Sequence, residues 1–175
     1  MKVAVRIRYL LLFLLTAWVL QAKDRPPWVE GRSPHFHVIS NAAPKQVEQL
    51  TSKLEEFRHL MATMFPSLRL DPPVPTTVVF FKNDKTFRPY KPLTPEGKPK
   101  SLTGFFQPSR ERMYLAMNIG ESNRQQITFH EYTHLVMELN LGQVPLWLGE
   151  GLAMFYESSE IDGVNFKLGY PQVNY

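Results

Sequence analysis

Hydrophobic positions follow two different periods along the chain. Between residues 44 and 65 apolar side chains recur every three or four positions, which predicts an amphipathic helix over Pro44–Phe65. Four short runs rich in β-branched and aromatic residues predict strands: His35–Ser40, Thr76–Phe81, Leu102–Gln107 and Met113–Asn118. The stretch Asp84–Lys100 is rich in proline and lysine and is predicted to form an exposed loop.

Two more helices are predicted after the last of these strands. Ser122 and Gln125 have the spacing of a capping box, so we expect a helix that begins there and runs to about Leu139. Pro145 suits the first turn of a second helix, which reaches about Glu157. The element order β-α-β-β-β-α-α predicts an α+β domain, with a small mixed sheet and helices packed against it.

The N-terminus has the organisation of a secretory signal. Met1–Arg8 is positively charged, and the 12 residues Tyr9–Leu20 are almost all apolar. A membrane-spanning helix needs about 20 apolar residues, so we predict a signal peptide over 1–22 and a secreted or periplasmic protein. The alternative is an uncleaved anchor, which would hold the protein at a membrane. We expect a linker over 23–34 and one domain over 35–175.

Charge and cysteine content exclude several classes of function. The chain has 20 basic and 16 acidic residues, but three of the basic ones precede residue 9, within the predicted signal. The remainder is nearly neutral, which argues against a nucleic-acid partner. With no cysteine, the chain can form neither a disulfide scaffold nor a thiolate zinc site. Any metal must be bound by histidine and carboxylate.

The strongest chemical signal is an H-E-x-x-H pattern at residues 130–134. On a helix, His130 and His134 lie one turn apart on the same face, so both imidazoles can bind one zinc ion. Glu131 lies on the flank of that face, where it can act as the general base that activates a water molecule at the metal. The less specific interpretation is a pair of surface histidines without a ligand.

A catalytic zinc ion needs a third protein ligand. Glu150 follows His134 after 15 residues, enough for the chain to turn and return along the first helix. Gly149 and Gly151 flank it, which suggests that the two helices approach closely. Two alternatives stay open: Glu150 is a solvated acid at the start of a helix, or an upstream histidine is the third ligand. His35 and His37 are the candidates for the latter, since they share one face of the first predicted strand.

These residues resemble a known family. His130-Glu131-x-x-His134 followed by Trp147-Leu148-x-Glu150-Gly151-x-Ala153 is similar to the motif of the gluzincin metallopeptidases, and most similar to peptidase-MA-like domains related to the M1 aminopeptidases. The resemblance implies a zincin-like fold and one Zn²⁺ per chain, bound by His130, His134 and Glu150. It also implies that Glu131 is the catalytic base and that the substrate is a peptide or protein.

The resemblance also implies secondary roles. In zincins an edge strand pairs with the substrate backbone, and Met113–Asn118 is the candidate here. Gly104 would let the sheet approach the site closely, although an ordinary bulge explains it equally well. Tyr156 and Tyr170 are candidates for stabilising the oxyanion.

Two acids beyond the motif are ambiguous. Glu157 returns to the helix face of Glu150 and could orient a ligand histidine, and Glu138 lies four residues after His134. Each could equally be a plain surface acid.

Two other functional interpretations compete with the peptidase. One is a binding module that kept the zincin fold and lost hydrolysis. The other is the N-terminal part of a longer protein with specificity carried downstream.

Overall fold

The computed structural model describes residues 28–162 and 165–169. The predicted signal peptide, residues 1–22, lies outside the described residues. Within the described part, no helix is both long enough and apolar enough to cross a membrane.

The chain forms a small mixed α+β fold. The helices are α1 (Pro44–Met64), a short α2 (Asp84–Phe87), α3 (Arg124–Leu141) and α4 (Leu146–Glu157), with a 3-10 turn at Arg88–Tyr90. The strands are β1 (Val29–Arg32), β2 (His37–Ser40), β3 (Thr76–Phe81), β4 (Gly104–Gln107), β5 (Met113–Asn118), β6 (Glu160–Asp162) and β7 (Asn165–Lys167). The prediction of an α+β domain with a small mixed sheet is confirmed.

A five-stranded sheet in the order β1-β2-β3-β5-β4 forms the centre of the fold. Strands β2, β3 and β5 are parallel, with Val38 opposite Val78 and Val78 opposite Leu115. Strands β1 and β4 pair antiparallel at the two edges. Strands β3 and β5 each have five of six residues buried, whereas buried and half-buried residues alternate along β2.

Aromatic side chains fix α3 against α1. Phe57 of α1 stacks on Phe129 of α3 with ring centroids 4.1 Å apart, and Tyr132 packs edge-on against Phe57. All three side chains are buried. Because Phe129 and Tyr132 direct one side of α3 into the core, the neighbouring positions His130 and His134 are left on a side that is only partly covered.

Several elements differ from the sequence predictions. Strand β1 lies within the segment expected to be a linker, so the sheet begins before residue 35. Three of its four residues are exposed, which leaves no alternating pattern to detect. The hairpin of β6 and β7 was also not predicted. The stretch 84–100 is not loop throughout, because Asn83 accepts a hydrogen bond from Thr86 N (3.1 Å) and caps α2.

The predicted capping box is wrong. Helix α3 begins at Arg124, and its N-cap residue is Asn123, which makes no capping hydrogen bond through its side chain. The preceding turn is held instead by Asn118, whose Oδ1 accepts a hydrogen bond from Gly120 N (3.0 Å). Asn118 Nδ2 also donates to Glu121 Oε1 at 3.1 Å.

Candidate metal centre

Helix α3 brings the two histidines of the motif together. His130 and His134 lie one turn apart, and their Nε2 atoms are 3.1 Å from each other. Both side chains are partly buried, with 18% and 23% of their surface exposed. A shared ligand can therefore reach both imidazoles from one side of the helix.

Glu150 on α4 completes a group of three ligand atoms. Its Oε2 lies 3.4 Å from His130 Nε2, and its Oε1 lies 3.6 Å from His134 Nε2. Two ligands of a tetrahedral zinc ion, each at about 2.0–2.1 Å from the metal, are roughly 3.3–3.4 Å apart. Among the described residues, these three form the one group of histidine and acidic side chains close enough to share a metal ion. Two imidazoles and a carboxylate are a donor set that fits zinc.

The glycines on either side of Glu150 do not have the expected role. A Cβ added at Gly151 would meet no atom within 4 Å, and one added at Gly149 would meet only Val144 Cγ2, at 3.4 Å. Close approach of the helices therefore does not require glycine at either position. Gly142, in contrast, ends α3 with φ 64°, a conformation that glycine adopts readily.

Glu131 lies against the neighbouring strand, β4. Only 7% of its surface is exposed, and its carboxylate accepts a hydrogen bond from the backbone N–H of Phe106. A Cβ added at Gly104 would lie 2.7 Å from Glu131 Oε1, so the expected close approach at Gly104 is present. Burial raises the pKa of Glu131 to about 7, opposed by the charge of His130 and reinforced by that of Glu150.

Glu157 orients the first histidine. Its Oε2 lies 2.7 Å from His130 Nδ1, which directs Nε2 of the same ring towards His134 and Glu150. Burial acts to lower the pKa of His130, but the hydrogen bond to Glu157 and the nearby acidic charges outweigh it and raise the pKa. Burial and the charge of His130 lower the pKa of His134, which favours its neutral, metal-binding form.

The expected edge strand is the wrong one. Met113–Asn118 is β5, which pairs with β3 on one side and β4 on the other, so it has no free edge. Strand β4 is the edge, and it is also the strand that contacts Glu131. Sequence alone could not distinguish them, because β4 follows β3 in the chain but lies beyond β5 in the sheet.

Of the two tyrosine candidates, Tyr156 points away from the metal group. Tyr156 packs edge-on against Phe65, the residue that follows α1, with ring centroids 6.3 Å apart. It follows Glu150 by six residues, which on a helix points it about 120° away from that side chain. Tyr170 lies outside the described residues.

The upstream histidines lie apart from the metal group in the structure. His35 precedes β2 and its Nδ1 lies 2.7 Å from Glu55 Oε2, whereas His37 Nε2 lies 2.7 Å from Glu30 Oε1. Neither belongs to the metal-binding group found among the described residues.

No known protein-family model matches this chain, and no curated protein matches it significantly.

Proposed function

We propose that this protein is a zinc-dependent metallopeptidase with a zincin-like fold. The observation that carries the proposal is the convergence of His130, His134 and Glu150 next to a buried Glu131. Three ligands leave a fourth position open, as in catalytic rather than structural zinc sites. A purely structural metal site would have no need of the adjacent glutamate.

Zinc bound at these three ligands would act as a Lewis acid on the scissile carbonyl and lower the pKa of a water molecule. Glu131 would take a proton from a water molecule as the water oxygen bonds to the carbonyl carbon, and would deliver that proton to the amine nitrogen as the C–N bond breaks. His130 and His134 would bind the metal ion. Glu157 keeps the ring of His130 in its orientation.

Strand β4 is the proposed guide for the substrate. Its outer edge has no partner strand among the described residues, so an extended peptide can add to it as a further antiparallel strand. Gly104 and Phe106 hold Glu131 beside this edge. A peptide bound there would pass the metal group with its scissile bond within reach of Glu131.

The location that we propose is secreted or periplasmic, through a signal peptide over residues 1–22. It rests on the charged and apolar order of that segment.

The test is hydrolysis by the Glu131→Gln variant. Zinc-loaded wild-type protein should cleave a denatured protein substrate, whereas Glu131→Gln should keep its zinc and lose most activity. Glu48→Gln, on the exposed side of α1, is the matched control and should behave as wild type. If Glu131→Gln cleaves as fast as wild type, the assignment of the base is wrong.

A second candidate is a binding module with a zincin fold that does not hydrolyse. It is favoured by exposed apolar side chains on α4, where Leu146 and Trp147 are 78% and 75% exposed. Such a surface is typical of a protein interaction site. Zinc binding without any cleavage by the wild type would favour this candidate.

A further inference from the structure

A groove continues from the metal group towards the C-terminal end of α3. His134 and Glu150 line one end of it, and its volume is about 470 Å³. That volume is within the range of roughly 300–1,000 Å³ typical of ligand sites, so one large side chain fits easily. The groove lies next to β4, because Phe106 forms part of its wall.

Apolar side chains form part of the walls of this groove, and Gln143 is a polar member of the lining. Met137 of α3, Phe106 of β4, and Val144 and Leu146 around the turn between α3 and α4 supply them. These side chains would cover the methylene groups of a long substrate side chain.

The charge of the groove is negative. Glu138 and Glu150 are its acidic lining residues, and it has no lysine or arginine in its lining. Glu150 is committed to the metal, which leaves Glu138 as the free carboxylate. Within the described part of the chain, Glu138 has neither an ion pair nor a side-chain hydrogen bond, although many other acids there are paired. It lies one helical turn beyond His134, so it faces the same groove about 6 Å further along α3.

We infer that this groove selects a lysine or arginine side chain next to the scissile bond, with Glu138 as the residue that recognises the charge. The inference rests on the proposed peptidase function. A groove with apolar side chains on part of its wall and a free carboxylate further along suits an aliphatic stem with a cationic end. A shorter or acidic side chain would leave Glu138 unpaired or repelled.

The test is a cleavage profile on a peptide library. Zinc-loaded wild-type protein is incubated with peptides derived from a whole proteome, and the residues on either side of each new terminus are read by mass spectrometry. We expect lysine and arginine to be enriched about 10-fold at one position beside the cleaved bond.

Two variants of Glu138 separate recognition of charge from a structural role. Glu138→Gln should cleave without the basic preference, and Glu138→Lys should shift the preference towards aspartate and glutamate. Glu48→Gln should keep the wild-type profile. The zinc content of each variant reports whether the site is still folded.

The failures can be told apart. Cleavage by the wild type without a basic preference, or a preference unchanged in Glu138→Gln, would overturn this inference alone. Absence of any cleavage by zinc-loaded wild type would overturn the proposed peptidase and this inference together.

Discussion

Two pairs of histidines lie in different regions of this protein, and only one pair converges. His130 and His134 on α3 bring their Nε2 atoms within 3.1 Å of each other. His35 and His37 are closer in sequence, yet each is held by a separate carboxylate, that of Glu55 on α1 or Glu30 on β1. Proximity in sequence therefore does not predict a shared site.

For His130 and His37, the difference also lies in which ring nitrogen the carboxylate contacts. Glu157 contacts His130 through Nδ1 and leaves Nε2 facing the metal group, so the pairing orients the ligand atom. In the other pair, Glu30 takes Nε2 of His37, and Nδ1 of that ring lies 3.5 Å from Thr77 Oγ1. The Nε2 atoms of the first pair lie together with the carboxylate of Glu150, whereas the second pair links β2 to β1 and the segment before β2 to α1.

The largest expected effect is on zinc affinity, and it separates the two pairs of histidines. His130→Ala or His134→Ala should weaken zinc binding by more than about 100-fold, since loss of a direct ligand exceeds the usual effect of its supporting residues. His35→Ala and His37→Ala should bind zinc as wild type does. Titration of metal-free protein with zinc measures all four. A comparable loss of zinc affinity in His35→Ala or His37→Ala would contradict the distinction between the two pairs.

A substitution at Gly104 tests whether β4 positions the carboxylate of Glu131. In Gly104→Ala the new Cβ would lie 2.7 Å from Glu131 Oε1, so the carboxylate must move. A displacement of about 1 Å at a reacting group can cost about 100-fold in rate. We expect that loss in kcat/KM with zinc content unchanged.

The control for Gly104 is a glycine in the other region. A Cβ at Gly31 in β1 would meet no atom within 4 Å. Gly31→Ala should therefore cleave at the wild-type rate. Equal activity of the two variants would show that the contact between Gly104 and Glu131 does not position the base.

Substitution of the carboxylates that contact these histidines should change zinc affinity by a smaller factor. Glu157→Gln removes the charge that faces His130, and we expect a loss of roughly 10-fold in zinc affinity, at the lower end for such partners. Glu55→Gln alters the partner of His35 and should leave zinc affinity unchanged. An affinity of Glu157→Gln equal to that of wild type would mean that His130 needs no orienting partner.

The smallest expected effect concerns stability in acid. Burial acts to raise the pKa of Glu55, but hydrogen bonds from Ser33 and His35 outweigh it and lower the pKa below 4.5. A lowered pKa stabilises the fold above about pH 4.5, and this stabilisation is lost as the pH falls through the folded-state value.

Glu55→Gln should therefore reduce the free energy of unfolding by less than about 1 kcal/mol at pH 6, because the pair is partly exposed. The difference from wild type should shrink at pH 3. Urea unfolding at both pH values measures it, with Glu48→Gln as the control. A difference that grows towards pH 3 would contradict the assigned direction.

The sequence predicted the parts of the fold that have a strong period. Helix α1 and strands β3 and β5 lie where the apolar pattern placed them, because their inward positions are occupied almost throughout by large apolar residues. Strand β1 escaped detection because three of its four residues are exposed, and besides backbone pairing it contacts β2 through the side chain of Glu30.

The sequence predicted some parts of the candidate site and not others. Helical periodicity alone places His130 beside His134, and the return of α4 places Glu150 with them. The order of β4 and β5 was not predictable, since it depends on a crossover that leaves no local pattern. The contact of Glu131 with Gly104 depends on that order, so the sequence could offer it only as one of two explanations.

The most direct test of the central claim is the zinc content of the purified full-length protein, measured beside Glu150→Ala. Glu150 is the one ligand of the three that α3 does not carry, so it tests the convergence of the two helices. The account predicts about one zinc per chain in the wild type and a sharply weakened site in Glu150→Ala. Folded wild type that binds no zinc, or Glu150→Ala that binds it equally well, would contradict the account.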